Sequence, residues 1–282
     1  MTENSRVAFF HVGLPKTAST FLQRRVFPFF QHIHYIKKHD FKKQEKYLQD
    51  HSDLPFLLSV EFFPNATDKY TIEKIEQVKN NFDKVYPIIV FRKHSSWLRS
   101  RYKYHIRKHG SSDFNQYIDP DTTKGRQVKN SLQFYQNITL LEKSFGTRPL
   151  VLFQEEIKNS PHETVRLIAG YTGAKFEAAQ IRPSIVKQSY SEHQLKWVRK
   201  FNKIYPFQPQ KIHSPVLKKT YKKISQFFLH TVAFFGNFLP DPEREKELIP
   251  SWEINKIDEE FREDWEKCKA YAKETRELLF DE

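Results

Sequence analysis

Residues 7–22 read VAFFHVGLPKTASTFL, and this stretch decides the fold that we expect for the chain. The apolar run Val7–Val12 predicts a strand, and Gly13 marks a turn at its end. A helix is predicted directly after the turn, with an apolar stripe made by Leu22, Val26 and Phe29. A strand joined so closely to a helix is typical of the first unit of a parallel α/β sheet.

Similar units follow along the 282 residues. Strands are predicted at Phe56–Val60, Val85–Phe91 and Leu150–Phe153, with a weaker one at His34–Ile36. Helices are predicted at 71–82, 96–108, 128–145, 161–171, 191–204, 215–235 and 254–279. The alternation predicts a three-layer α/β fold, a central parallel sheet flanked by helices. We expect a single domain over 1–282, mostly helical from about 190 to 282.

Charge and cysteine content limit the classes of function. The chain has 47 Lys and Arg against 34 Asp and Glu, a net charge of +13 that favours an anionic partner. A single cysteine, Cys268, excludes an intramolecular disulfide and a Cys-rich zinc site. The first 25 residues do not resemble a signal peptide, and no apolar run reaches the roughly 20 residues of a membrane span. We therefore expect a cytoplasmic protein.

The turn after the first predicted strand has the chemistry of an anion cradle. Lys16 lies in the turn, and the backbone amides of Thr17, Ala18, Ser19 and Thr20 would face outward at the start of the helix. The helix dipole and the Lys16 ammonium both favour a bound phosphate there. Neither G-x-x-x-x-G-K-[ST] nor G-x-G-x-x-G occurs. An ordinary βα turn with a hydroxyl cap explains the same residues equally well.

A second candidate anion site follows the run Val85–Phe91, which is apolar enough for a strand buried on both faces. Arg92 stands at its carboxyl end, where ligands bind in open parallel sheets, and its planar fork suits a phosphate. Ser100 follows eight residues later, two turns into the next predicted helix. That helix is rich in Arg and Lys, but no nucleic-acid-binding motif accompanies it, so we expect no nucleic-acid partner.

Both segments resemble motifs of the sulfotransferases that use 3′-phosphoadenosine 5′-phosphosulfate (PAPS). The family's first loop is Pro-Lys-x-Gly-Thr-Thr/Ser-x-Leu; Ala18 replaces its Gly, and the positions that match are Lys16, Ser19, Thr20 and Leu22. The family's second motif joins an Arg to a Ser eight residues later and a Tyr two further; the matching positions are Arg92, Ser100 and Tyr102. His94 and Trp97 depart from the family's Pro and Arg.

The resemblance implies a sulfotransferase fold related to the P-loop nucleotide triphosphatases. It implies PAPS as the donor, adenosine 3′,5′-bisphosphate as the product, and no metal. The residues that it assigns to the donor are Lys16, Thr17, Ala18, Ser19, Thr20, Arg92 and Ser100. Lys16 is also assigned to catalysis.

The family takes its catalytic base from the segment after the strand between the two motifs. Glu61 is the titratable group there, and Phe62 and Phe63 would partly desolvate its carboxylate and strengthen it as a base. In this the chain resembles the Glu-base enzymes that sulfate saccharides, so the expected acceptor is a small molecule or glycan, most specifically a saccharide or glycolipid. His11 and His94 stay open as base, phosphate donor or structural imidazole.

Two other functions fit part of the sequence. A nucleotide or nucleoside kinase on the related P-loop scaffold would need magnesium and an acidic residue at a strand end. A non-enzymatic adaptor for glycans or membranes would use residues 218–235, where lysines run into aromatic residues. That segment is a candidate for contact with a membrane or a lipid-linked acceptor. The simpler interpretation is a helix that packs its Phe face on the core and keeps its lysines in water. The oligomeric state is left open.

Overall fold

The computed structural model describes residues 5–37, 53–62, 68–181, 190–207, 212–243 and 246–280. The chain divides into two compact units. The first unit comprises Met1–His94, Gln133–Ile185 and Phe261–Glu282, and the second comprises Ser95–Leu132 and Val186–Glu260. The single domain expected from the sequence stays a prediction.

A parallel sheet forms the centre of the first unit. Its strands are β1 (Val7–Gly13), β2 (His34–Lys37), β3 (Phe56–Ser59), β4 (Lys84–Phe91) and β5 (Leu150–Phe153). They lie in the order β2-β3-β1-β4-β5, and every neighbouring pair is parallel. Each predicted strand is therefore present, with ends shifted by a residue at most.

Helices are present in both units. In chain order they are α1 (Ser19–Phe21), α2 (Lys69–Lys79), α3 (His94–Arg107), α4 (Phe114–Ile118), α5 (Thr123–Asn130), α6 (Phe134–Phe145), α7 (Gln154–Asn159), α8 (Pro161–Thr172), α9 (Glu192–Ile204), α10 (Pro215–Gly236), α11 (Ser251–Glu260) and α12 (Arg262–Phe280). The chain continues from α1 into a π-helical turn, Leu22–Val26, and a 3₁₀ turn, Phe27–Phe29, so the expected regular helix is wrong beyond its first turn. None of the helices described here is both long and apolar enough to cross a bilayer.

Apolar side chains leave the sheet on both faces. On one face Ile88 and Val90 of β4 belong to a buried cluster with Leu22 and with residues of α7 and α8. On the other face Phe91 stacks on Phe134 of α6, with 4.9 Å between ring centroids. Consecutive residues of one strand thus pack against different helices, as expected for a strand buried on both sides. The predicted three-layer α/β architecture is confirmed.

Two helices that the sequence predicts as continuous are interrupted. Residues 128–145 divide into α5 and α6, because the Asp264 carboxylate accepts hydrogen bonds from the Phe134 and Tyr135 amides at 3.1 Å and caps a new helix there. Residues 254–279 divide at Phe261, between α11 and α12. Both interruptions lie where the chain passes from the second unit to the first.

In the second unit, α10 does not pack its phenylalanines on the core. Its buried residues are Leu229, Ala233 and Gly236. The interpretation of 218–235 as a helix with a core-facing Phe surface is therefore wrong: Phe227, Phe228, Phe234 and Phe235 are all more than half exposed.

Candidate functional site

Three predicted site residues follow three neighbouring strands of the first unit. The loop with Lys16 follows β1, Glu61 follows β3, and Arg92 follows β4. Since β1 pairs in parallel with both β3 and β4, all three carboxyl ends lie at one edge of the sheet. In the strand order, β2 and β3 lie on one side of β1, and β4 and β5 lie on the other. Open α/β sheets bind ligands at such a point, where the direction of the strand order reverses.

Hydrogen bonds brace the loop after β1. The Leu14 amide donates to the Val90 carbonyl of β4 at 3.0 Å. The Leu14 carbonyl accepts from the hydroxyls of both Thr17 and Ser19, at 2.5 and 3.1 Å. These two hydroxyls are therefore used to hold the loop, and the loop's backbone amides are the groups suited to an anion.

The backbone of this loop bends in the way that creates anion sites. Lys16 and Ala18 both take left-handed conformations, with φ of 75° and 69°. Turns of this kind can direct successive amides into one concavity. Helix α1 begins at Ser19, and no side chain in the described part of the chain caps it. The first amides of a helix lack acceptors within it, so the Ser19 and Thr20 amides suit a phosphate or sulfate group.

Glu61 lies directly against this loop. The Phe62 amide donates to the Val12 carbonyl at 3.2 Å, which extends the pairing of β3 with β1 past Glu61. A Cβ atom built on Gly13 would lie 3.4 Å from the Cα of Glu61. The structure thus brings Glu61 beside the start of the Lys16 loop.

His11 lies on β1, two residues before the strand ends at this edge, and is fully buried. Its Nδ1 shares a 2.7 Å hydrogen bond with Ser59 Oγ, and its Nε2 has no hydrogen-bond partner among the described residues. Burial disfavours the imidazolium and lowers the pKa of His11 to about 3. These features favour the structural alternative for His11 over a role as base.

Ser59 also connects Gln23 and Tyr35 to this network. Gln23 Nε2 donates to Ser59 Oγ at 2.9 Å, and the Tyr35 hydroxyl donates to the Gln23 carbonyl at 3.2 Å. The pKa of Tyr35 is raised, mainly by burial, with a further contribution from the Glu61 charge, against a hydrogen bond with Ser59 that lowers it. Tyr35 thus lies within electrostatic reach of Glu61. No local motif marks Ser59, Gln23 or Tyr35, so the sequence does not predict them as part of the site.

His94, the other open candidate, is buried at the start of α3. Its ring stacks on Phe134 at 4.1 Å and on Phe261 at 5.2 Å, and its Nε2 lies 3.1 Å from Asp264 Oδ2. The imidazole therefore helps to join β4 to α6 and α12. This geometry also favours a structural role.

Arg92 is partly buried at the end of β4. Burial lowers the pKa of its guanidinium, and the nearby Glu155 carboxylate acts in the opposite direction. Within the described residues, no protein acceptor forms a hydrogen bond with the Arg92 side chain. A charged, partly desolvated fork of donors is suited to a phosphate.

The other two residues of the second motif belong to the second unit, so their pairing with Arg92 stays a prediction. Ser100 lies within α3 and is partly exposed. Tyr102 is fully buried, donates to the Ser112 carbonyl at 3.0 Å and accepts from Arg199 at 2.8 Å. The Tyr102 hydroxyl is therefore used by the fold of the second unit.

A cavity of about 610 Å³ lies elsewhere in the first unit. Its lining includes Arg6, Pro55 and Tyr86, near the amino-terminal ends of the strands, and none of the predicted site residues. We place the candidate site at the carboxyl edge instead, since Lys16, Glu61 and Arg92 each follow a strand that ends there. No cluster of His, Cys, Asp or Glu within the described ranges could hold a metal ion, and a metal-free site stays a prediction.

Several solved structures are similar to this chain, and two of them are sulfotransferases. A sulfotransferase from Alicyclobacillus acidocaldarius is 15% identical, with a TM-score of 0.49, over 68% of this chain and 89% of its own. Mouse sulfotransferase SULT7A1 in complex with PAP is 12% identical, with a TM-score of 0.40, over 78% of this chain and 89% of its own. No protein-family model and no curated protein matches the sequence.

Ala18→Gly tests the loop geometry. Alanine at φ 69° carries a conformational cost that glycine avoids, so the substitution should raise the free energy of unfolding by about 1 kcal/mol. Gly146→Ala is the matched control, because Gly146 has φ 66° and open space around it, and should lower stability by a similar amount. Urea denaturation measures both. Destabilisation by Ala18→Gly would contradict the left-handed loop.

The buried imidazole predicts a pH dependence of stability. As the pH falls below 6.5, His11 becomes protonated in the unfolded chain, whereas in the folded chain it stays neutral down to about pH 3. The free energy of unfolding should therefore decrease by about 1.4 kcal/mol for each pH unit of acidification within that window. His11→Asn keeps an N–H donor for Ser59 and should remove this component of the slope. Exposed His162→Asn is the control and should keep it. Equal slopes for wild type and His11→Asn in urea denaturation would contradict a buried neutral His11.

Proposed function

We propose that this protein transfers a sulfuryl group from PAPS to a hydroxyl or amine of an acceptor. The observation that carries the proposal is the contact between the Lys16 loop and Glu61 at one edge of the sheet, with Arg92 on the next strand. An anion cradle, a carboxylate and a phosphate-binding cation are the parts that such a transfer needs.

The donor would bind through two groups of residues. The loop amides of Thr17, Ala18, Ser19 and Thr20, with the Lys16 ammonium, suit the 5′-phosphosulfate end. Arg92 suits the 3′-phosphate, and a contact of Ser100 with the same group stays a prediction from the motif. Ala18 in place of glycine supports this assignment, because it takes the left-handed conformation for which glycine is usual and leaves its amide in the loop.

Glu61 would act as the base. It accepts the proton of the acceptor hydroxyl while that oxygen forms a bond to sulfur and the bond from sulfur to the bridging phosphate oxygen breaks. Lys16 stabilises the negative charge that grows on the departing oxygen of adenosine 3′,5′-bisphosphate. Fixed donors and positioning supply the catalysis, as in phosphoryl transfer, and no covalent enzyme intermediate is required.

The proposed acceptor is a saccharide or glycolipid. Phe62, the residue after Glu61, packs edge-to-face on Tyr70 with 6.2 Å between centroids, and Tyr70 is 42% exposed. An accessible aromatic surface close to the base is suited to the apolar face of a sugar. We further propose that the reaction takes place in the cytoplasm, since a single cysteine suits a reducing compartment.

Arg92→Ala should weaken binding of adenosine 3′,5′-bisphosphate at least tenfold, because charge-assisted hydrogen bonds to a phosphate are lost. Arg99→Ala removes the same charge from an exposed position on α3 and is the control, with an expected change of less than twofold. Titration calorimetry gives both dissociation constants. Unchanged affinity in Arg92→Ala would refute the assignment of Arg92 to the 3′-phosphate.

The same titration on the wild-type protein tests the kinase alternative. Tighter binding of magnesium ATP than of adenosine 3′,5′-bisphosphate would favour a kinase over a sulfotransferase.

Glu61→Gln should lower kcat by about 10²- to 10⁴-fold, the usual contribution of a general base, and change affinity for adenosine 3′,5′-bisphosphate less than twofold. Exposed Glu73→Gln is the control and should keep the wild-type rate. The assay follows release of adenosine 3′,5′-bisphosphate from PAPS with a panel of saccharides. Wild-type kcat in Glu61→Gln would remove this residue from the mechanism.

A further inference from the structure

Helix α10 carries two opposite apolar faces. Leu229, Ala233 and Gly236 form the inner face, and Gln194 Nε2 of α9 donates to the Ala233 carbonyl at 3.1 Å. A Cβ atom on Gly236 would lie 3.2 Å from the Trp197 side chain, so the two helices approach closely there. The inner face of α10 therefore packs against α9.

The opposite face is broad and aromatic. We define the outward stripe by its most apolar members, which are Val216, Ile224, Phe227, Phe228, Phe234 and Phe235. They recur at intervals of three, four, seven or eight residues, which places them on one side of a helix. Each side chain is between 49% and 73% exposed. The stripe runs most of the length of a helix of about 33 Å, far more apolar surface than scattered exposed residues present.

Positive charge borders one side of the stripe. Four lysines lie in the first half of α10: at 100° per residue Lys219 and Lys223 are the two nearest the stripe, whereas Lys218 and Lys222 lie on the opposite side of the helix. The helix contains no Asp or Glu, and within the described part of the chain none of these lysines forms an ion pair with a carboxylate. The helix therefore offers a broad aromatic surface bordered by the ammonium groups of Lys219 and Lys223.

We propose that the outward stripe of α10 binds the surface of a lipid bilayer with anionic headgroups. Aromatic and aliphatic side chains would enter the boundary between headgroups and acyl chains, and Lys219 and Lys223 would pair with phosphates or carboxylates of the lipids. A second copy of the chain is a poorer occupant, because a helix without carboxylates would place its lysines against lysines or phenylalanines. This inference is independent of the proposed function.

Flotation with phospholipid vesicles tests the proposal on the full chain. Vesicles of phosphatidylcholine with phosphatidylserine should bind at least tenfold more tightly than phosphatidylcholine alone, since each lysine near an anionic surface contributes about fivefold. Binding should weaken as salt is added, because salt screens these charges.

Two variants separate the apolar and electrostatic contributions. Replacing Phe227, Phe234 and Phe235 together by Ser should weaken binding to the anionic vesicles at least tenfold, as should Lys219→Glu with Lys223→Glu. Trp252→Ser is the matched control, an aromatic residue on α11 that is 59% exposed, with an expected change of less than twofold. Because all these side chains are exposed, the melting temperatures should stay close to wild type.

Three results would overturn the proposal. One is the absence of flotation with anionic vesicles, and another is equal binding to neutral ones. The third is a concentration-dependent dimer in sedimentation that the triple Phe variant abolishes while vesicle binding persists, because the stripe would then be an interface between copies of this chain.

Discussion

The parallel pairing of β1 with both β3 and β4 is the constraint on which the candidate site depends. Parallel strands end at the same edge, so Lys16, Glu61 and Arg92, which are distant in the sequence, all follow strands at one edge of the sheet. If β1 paired antiparallel with either neighbour, the residue after that neighbour would lie at the opposite edge. Strand direction therefore determines which residues lie at this edge, and the identities of those residues then determine its chemistry.

Hydrogen bonds between polar groups close to the same edge stabilise this part of the sheet. Burying His11 without charge costs stability at low pH, while its hydrogen bond with Ser59 and the bonds of Gln23 and Tyr35 satisfy most of the polar atoms there. A connected network of this kind restricts side-chain movement next to Glu61. It also favours a structural role for His11, a histidine close to the Lys16 loop.

Local patterns predicted much of this structure, and long-range contacts decided the rest. The apolar run before Arg92 was sufficient to predict β4, because a strand buried on both faces leaves a continuous signal. The start of α6 could not be predicted in this way, since its cap, Asp264, is 130 residues away in the chain. Ser59 and His11 are likewise 48 residues apart. The sequence predicts that α10 packs its phenylalanines on the core, and this is wrong because helical periodicity does not show which of two apolar faces is covered.

Deuterium exchange with and without adenosine 3′,5′-bisphosphate tests the central claim most directly. If one doubly phosphorylated nucleotide spans the edge, peptides that contain the Lys16 loop and peptides that contain Arg92 should become protected together, at the same ligand concentration. Protection of only one of the two segments, or of neither at saturating nucleotide, would contradict the account.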